Sequence, residues 1–248
     1  MNSLRALDRV RVVLSRTSHP GNIGAAARAM KTMGFSQLWL VSPSSFPDPV
    51  ADARASGAGD VLARARVVAT LEEALSGTVL AAALTARRRE LSLPRQRPRG
   101  AAAELIAWSA RGDVALVFGN EASGLTNDEV GLCSLPVTIP CSAAYSSLNL
   151  GAAVQVMCYE SRLAALARNE AAGDGENLPA PATHDEIEGF FAHLEAAIIA
   201  SGFLDPEKPR RLMPRMRRLF GRARLEKEEV AILRGILSSL ENPRPPQK

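Results

Sequence analysis

Three short segments of this 248-residue chain set amide, carboxylate, hydroxyl and guanidinium groups among glycines and alanines. The first is His19-Pro20-Gly21-Asn22-Ile23-Gly24, followed by Ala25 to Met33 with Arg28 inside. It lies between an apolar run and a helical stretch. Its glycines let backbone approach a ligand closely, and a helix N-terminus favours an anionic group. The second is Phe118-Gly119-Asn120-Glu121-Ala122-Ser123-Gly124-Leu125. Glu121 is either a capping carboxylate or a site residue. Thr126 with Glu129 three positions on already forms a capping box, which tips Glu121 toward function. The third runs from Ile139-Pro140-Cys141 to Ser146-Ser147-Leu148-Asn149-Leu150. A helix starts at its end, and three polar residues in four positions there, Ser146, Ser147 and Asn149, exceed what one helix cap needs.

Other chemistries are missing from the sequence. There is no Walker A pattern, no GxGxxG, no HExxH and no GxSxG. Cys133, Cys141 and Cys158 lack metal-ligand spacing and cannot pair completely, which suits a reducing compartment. His19, His184 and His193 are scattered. No metal is expected.

The chain carries 26 Arg against 4 Lys, for a net charge of +4. Arg contacts phosphate bidentately and stacks on bases, but a GC-rich genome also favours Arg codons. Position decides between the two. Residues 87–100 hold six Arg, among them Arg87, Arg88 and Arg89, against one Glu. They follow the apolar run Thr78–Leu84, at a strand's carboxyl end, where α/β sheets place ligands. Residues 205–224 hold seven Arg and one Lys against two acids. From Arg211, the residues Arg215, Arg218 and Arg222 recur at helical spacing, with Leu212, Met216, Leu219 and Ala223 on the neighbouring face. Pro214 is compatible only with a first turn or a kink, so the stripe is firm from Arg215 onward. Such one-signed segments repel themselves without a polyanion and point to nucleic acid. With aromatics at 4%, phosphate and shape recognition is expected over base stacking.

Short apolar runs at Val10–Leu14, Leu38–Val41, Val67–Ala69, Thr78–Leu84, Val114–Phe118 and Val137–Ile139 read as strands buried on both faces. Helical stretches at 22–33, 101–110 and about 147–168 fall between them, the first stopped by Gly34. This alternation predicts an α/β domain with a mostly parallel sheet over 1–168. Residues 169–183 combine acids, glycines and prolines with almost nothing to bury and read as a linker. A small all-α region over 184–248 follows, with helices over 185–201 and 226–240 and a capping box at Thr183 and Glu186. No apolar stretch approaches membrane-spanning length and no secretory signal is visible, so a cytoplasmic location is expected.

The three segments, in this order, resemble the motifs of the SpoU branch of the SPOUT methyltransferases. The first motif is carried by Asn22-Ile23-Gly24 with Arg28, the second by Val117 to Leu125, the third by Ile139-Pro140 through Ser147-Leu148-Asn149. Thr17 to Gly24, Ala29 to Gly34, Tyr145 to Leu150 and Gly202-Phe203-Leu204-Asp205-Pro206 look like the TrmJ group, tRNA 2′-O-methyltransferases acting on cytidine or uridine at nucleoside 32. The resemblance implies a deep trefoil knot, S-adenosylmethionine as cofactor, tRNA as substrate and a homodimer. It implies a cofactor cradle of Leu84, Thr85, Ala86, Gly119, Ile139, Ser146, Ser147 and Leu148. Arg28, Ser147, Asn149, Glu121 and Asn22 would carry the chemistry. Guanidinium is effectively always protonated, so Arg28 is expected to stabilise the 2′-oxygen or a phosphate rather than take its proton. Ser147 and Asn149 would orient the ribose or Arg28, Glu121 would hold Arg28, and Asn22 would contact ribose or phosphate. Arg87, Arg88, Arg89, Arg215, Arg218 and Arg222 would grip tRNA. Methylation of another tRNA or rRNA position, or a non-catalytic RNA-binding relative, are the alternatives; a nucleotide-binding protein without RNA suits the arginine segments poorly.

Overall fold

Strand β1 (Val10–Ser15) is mainly apolar and buried along its whole length, Arg11 and Ser15 included, as a central strand of a covered parallel sheet must be. In the computed structural model, residues 3–86, 93–142, 144, 148–170 and 179–242 are described. Five further strands follow: β2 (Gln37–Val41), β3 (Arg66–Val68), β4 (Thr78–Leu84), β5 (Asp113–Phe118) and β6 (Leu135–Val137). Their order is β3-β2-β1-β5-β4-β6, and every pair is parallel. All six expected runs form strands, displaced by at most two residues at an end.

Side chains alternate between the two faces with period two. Val12, Leu14, Leu38, Leu40, Leu116 and Phe118 enter one core with residues of α1 (Pro20–Met33), α5 (Pro98–Ser109) and α7 (Leu150–Glu170). Val13, Trp39, Val41, Ala115 and Val117 enter the other, with Leu71 and Leu75 of α4 (Leu71–Leu75) and Val130 of α6 (Asn127–Gly131). Two more short helices, α2 (Pro49–Ala55) and α3 (Gly59–Ala63), complete this unit, Met1–Glu176. The chain leaves β6 at one edge of the sheet, yet α7 packs on α1, α5 and the 3₁₀ turn Ser3–Arg9.

Local sequence explains the ends of α1. His19 is its N-cap, with Nδ1 accepting from Gly21 N–H at 3.0 Å, and Pro20 occupies the first turn. At the other end Gly34 adopts φ 83°, and Phe35 N–H donates back to Met30 C=O at 2.9 Å. Gly24, mid-helix, touches α2: a Cβ there would lie 2.1 Å from the Ala51 carbonyl oxygen. The described part of α7 begins at Leu150, later than the expected 147, because Asn149 Oδ1 accepts from Gly151 N–H at 2.9 Å and so caps it.

The second unit is Asn177–Lys248. It contains α8 (His184–Ala200), α9 (Leu212–Ala223) and α10 (Lys227–Glu241), with the expected capping box at Thr183 and Glu186. Ala182 is buried here, and its N–H donates to Leu225 C=O at 3.1 Å, so ordered packing begins before Thr183. Pro214 sits in the first turn of α9, where the missing N–H costs nothing. The inward face of α9 differs from the expected one. Met213, Met216 and Phe220 pack on the cluster of Phe190, Phe191, Leu225 and Val230, whereas Leu219 is 46% exposed. Phe220 sets this rotation by edge-on contact with Phe190, ring centroids 4.9 Å apart.

Candidate active site

Strand order decides which loops meet. Because β1 lies beside β5, the turns leaving their carboxyl ends are neighbours, and the two first motifs face each other. Glu121, from the β5 turn, reaches across to the β1 turn. Its Oε2 accepts from Ser18 N–H at 2.9 Å and from Ser18 Oγ–H at 2.8 Å. Its Oε1 accepts from Asn22 Nδ2 at 2.8 Å and from His19 N–H at 3.4 Å. Partial burial pushes the Glu121 carboxyl up, but the donors on Ser18 and Asn22 outweigh it and hold the pKa below the ordinary carboxylate value. Asn149 Nδ2 donates to Asn22 Oδ1 at 3.0 Å, which ties in the third motif. One Asn22 amide therefore bridges the other two segments.

This arrangement corrects the expected pairing of Glu121 with Arg28. Arg28 is exposed on α1, and its guanidinium makes no hydrogen bond or ion pair with another described residue. It lies six residues along α1 from Asn22, on an exposed stripe with Lys31 and Thr32. Ser146 and Ser147, expected at this site, lie outside the described residues, as do Arg87, Arg88 and Arg89.

Beside the three-motif cluster is a cavity of about 220 Å³. It opens at the carboxyl ends of β4 and β5 and just beyond β6. Leu84, Thr85, Ala86, Gly119, Ile139 and Leu148 all line it, as do Phe118, Asn120, Glu121, Ser123, Leu125, Cys141 and Leu150. Gly119 is required here. A Cβ would lie 2.2 Å from the Leu125 nitrogen and 2.3 Å from the Gly124 carbonyl carbon, so the turn closes on it with no room for a side chain. The cavity offers apolar walls with a polar rim of Thr85, Asn120, Glu121 and Ser123.

Residues flanking 87–92 are tied to the edge of the sheet. Thr138 Oγ1–H donates to Thr85 C=O at 2.7 Å, and Gln96 N–H donates to Pro136 C=O at 2.9 Å. Arg95 donates to the carbonyl of Ala86 at 3.3 Å and to Thr138 Oγ1 at 3.2 Å. In the second unit Arg215, Arg218 and Arg222 are all exposed along α9. Arg217, off that stripe, is spoken for: it pairs with both oxygens of Glu188 at 2.5 and 2.6 Å and stacks 4.5 Å over Phe191.

Several contributors escaped the sequence reading. Ser18 supplies two of the four donors to Glu121. Asn120 Nδ2 donates to Arg16 C=O at 2.7 Å, while its Oδ1 accepts from Ala122 and Ser123 N–H, folding the turn. Asn followed by small residues and Gly is the signal for such a turn. Cys141 is exposed at the cavity, whereas Cys133 and Cys158 are buried and burial pushes both thiols far up. Among the described residues no cluster could hold a metal ion, and no helix is long and apolar enough to cross a membrane.

Comparison with known proteins agrees with this geometry. Residues 9–159 match the SpoU rRNA Methylase family, and residues 185–248 match the C-terminal domain of the tRNA methyltransferase TrmJ. The chain is 53% identical over 243 residues to the tRNA (cytidine/uridine/adenosine-2′-O-)-methyltransferase TrmJ of Pseudomonas aeruginosa UCBPP-PA14, covering 95% of each. It is 48% identical over 237 residues to the tRNA (cytidine/uridine-2′-O-)-methyltransferase TrmJ of Salmonella choleraesuis SC-B67, covering 95% of this chain and 97% of that one. The crystal structure of TrmJ from Z. mobilis ZM4 superposes with a TM-score of 0.82 at 34% identity, over 94% of this chain and 99% of that one. With both family models matched and identity of this level along nearly the whole chain, the protein belongs to the SpoU methylase family, in its TrmJ group.

Proposed function

We propose that this protein methylates the ribose 2′-oxygen of nucleoside 32, cytidine or uridine, in the tRNA anticodon loop, with S-adenosylmethionine as methyl donor. The observation that carries the reading is the juncture of three motifs: Asn22 bonded to both Glu121 and Asn149, beside the cavity. The donor's chemistry fits that cavity. Apolar walls from Leu84, Phe118, Ile139 and Leu148 suit an adenine, and the polar rim suits the ribose and the charged amino-acid end. Ser146 and Ser147 belong to the same cradle by their place in the third motif. When bound, S-adenosylmethionine supplies a methyl group already activated on a sulfonium.

Protein groups then have two tasks, positioning and charge stabilisation. Asn22 and Asn149 are held at fixed orientation and present amide groups to the ribose. By its place in the third motif, Ser147 is assigned to the same task. Arg28, exposed and without a described partner, is available to meet developing negative charge on the 2′-oxygen or an adjacent phosphate. Arg215, Arg218 and Arg222 on α9, with the arginines of 87–89, hold the tRNA backbone.

A homodimer and a trefoil knot complete the reading. Tyr159, Leu163 and Leu166 stand 48%, 38% and 40% exposed at helical spacing on α7, an apolar stripe suited to a second copy. The return of α7 from the β6 edge onto α1 and α5 is the course that threading would require.

The test is mass-spectrometric mapping of 2′-O-methyl groups in tRNA from cells lacking the enzyme, treated with purified protein and S-adenosylmethionine. A methyl group at nucleoside 32 is expected; modification elsewhere, or only in rRNA, overturns the assignment. Tolerance of adenosine at that position is a further readout, prompted by the name of the Pseudomonas relative. Arg28→Ala should lower the single-turnover rate by about 10²–10³-fold, the cost of removing one charge-stabilising donor. Its cofactor affinity should persist, since Arg28 does not line the cavity.

A further inference from the structure

A second carboxylate on the β5–α6 segment also reaches across to the β1 turn. Glu129 Oε2 accepts from Arg16 Nη2 at 2.6 Å and from its own cap, Thr126 N–H, at 2.6 Å. Its Oε1 accepts from the hydroxyl of Ser15, which is fully buried. Arg16 has φ 53°, a left-handed conformation that non-glycine residues rarely adopt. Its backbone is fixed at both groups: the N–H donates to Val41 C=O at 2.8 Å, and the C=O accepts from Asn120 at 2.7 Å. Two residues further on, Ser18 presents its N–H to Glu121.

A capping box alone accounts for one of these contacts, the bond to Thr126. The other two, to Ser15 and Arg16, cross between segments more than one hundred residues apart. We infer that Glu129 is a positioning residue for methyl transfer: it holds Arg16 in its strained conformation, so that the following turn delivers Ser18, His19 and Asn22 to Glu121. The inference rests on the methyltransferase reading only for its kinetic consequence; the geometric claim stands by itself.

Glu129→Gln tests it: the amide oxygen can still accept from Thr126 and keep α6 capped, while the ion pair with Arg16 becomes a neutral hydrogen bond and the Ser15 hydroxyl loses its acceptor. Single-turnover methylation at saturating cofactor and tRNA should fall at least tenfold. Dissociation constants for S-adenosylmethionine and tRNA should stay within threefold of wild type. Arg16→Gln should match it, and the double variant should be no slower than the slower single one, as for two ends of one link. Amide hydrogen exchange gives a readout free of activity: Ser18 and His19 should exchange at least tenfold faster in Glu129→Gln, with Val12 and Leu116 unchanged. A rate within twofold of wild type overturns the kinetic claim. Unchanged exchange at Ser18 and His19 overturns the geometric one. If wild-type protein methylates no tRNA, the function assignment fails while the exchange result still decides the role of Glu129.

Discussion

Glu121 shows how a carboxylate can be committed to neutral partners. Its four donors come from one hydroxyl, one side-chain amide and two backbone N–H groups. Because the folded-state pKa is depressed, the stability this group adds is complete above the ordinary carboxylate value of about 4.3 and is lost as pH falls through the folded value. Glu121→Gln should therefore be less stable than wild type at pH 7, with the gap closing toward pH 3. Parallel thermal melts across that range check the sign; a constant gap would mean the charge contributes nothing. That Glu121 has a use beyond capping was legible in the sequence, because Thr126 and Glu129 already supplied the cap. Its partners were not. Charge complementarity alone favours an arginine, and only the adjacency of β1 and β5 puts Ser18 and Asn22 within reach. Glu129 was hidden for the opposite reason: its capping role fully explained its spacing from Thr126, leaving no surplus to interpret.

At the scale of elements, the strands were readable because they are short, mainly apolar runs of three to seven residues, all but the exposed edge strand β3 within a covered sheet. The short helices α2, α3 and α4 were not, since five to seven residues hold too few turns to show a 3.6-residue period. The rotation of α9 was misread because Leu and Phe weigh alike in a binary pattern, whereas the larger ring packs against Phe190 and Phe191. The α1–α2 contact at Gly24 was beyond reach of pattern as well. It permits a direct prediction. Gly24→Ala would drive a methyl into the Ala51 carbonyl and part the two helices, at a cost of about 1–3 kcal/mol or more, the range for overpacking a filled core. Helix propensity pulls the other way, since Ala is favoured over Gly by about 1 kcal/mol in a helix interior. A denaturant midpoint at or above that of wild type would show that α2 moves freely.

Across the whole molecule the arginine excess separates into different uses. Some guanidiniums serve as caps for carbonyls that elements leave unpaired. Arg162 donates to Met33 at the end of α1, Arg168 to Ile106 in α5, and buried Arg11 to Ala74 and Ser76 around the end of α4. Arg11 also pairs with Asp113 and lies 4.8 Å over Trp39. Arg215, Arg218 and Arg222, exposed on α9, cap no carbonyl of another described residue, and they are the part suited to a polyanion. Replacing Arg215, Arg218 and Arg222 together by Gln should weaken tRNA binding and flatten the slope of log K against log salt by about 2–3, at ~0.7–0.9 for each phosphate left unneutralised. Arg217→Gln should instead lower stability, because that guanidinium pairs with Glu188 and covers Phe191. An unchanged slope in the triple variant would remove α9 from the RNA interface.

The bonds that join the three motifs share one property with a consequence for how the enzyme comes into being. Ser18 and Glu121 are 103 residues apart in the chain, Ser15 and Glu129 are 114 apart, and Asn22 and Asn149 are 127 apart. Contacts of such long range carry a large loop-closure entropy and form only after nearer ones have shortened the path between them. During synthesis Asn149 leaves the ribosome after Glu121, so the third motif is the last to join Asn22, by which time β1 to β5 are available to form a sheet. The same ordering runs backward under stress. These solvent-accessible turns can open locally while the strands beneath them stay protected, so methyl transfer should fail before the fold does. Activity is then a more sensitive thermometer of this protein than its circular dichroism.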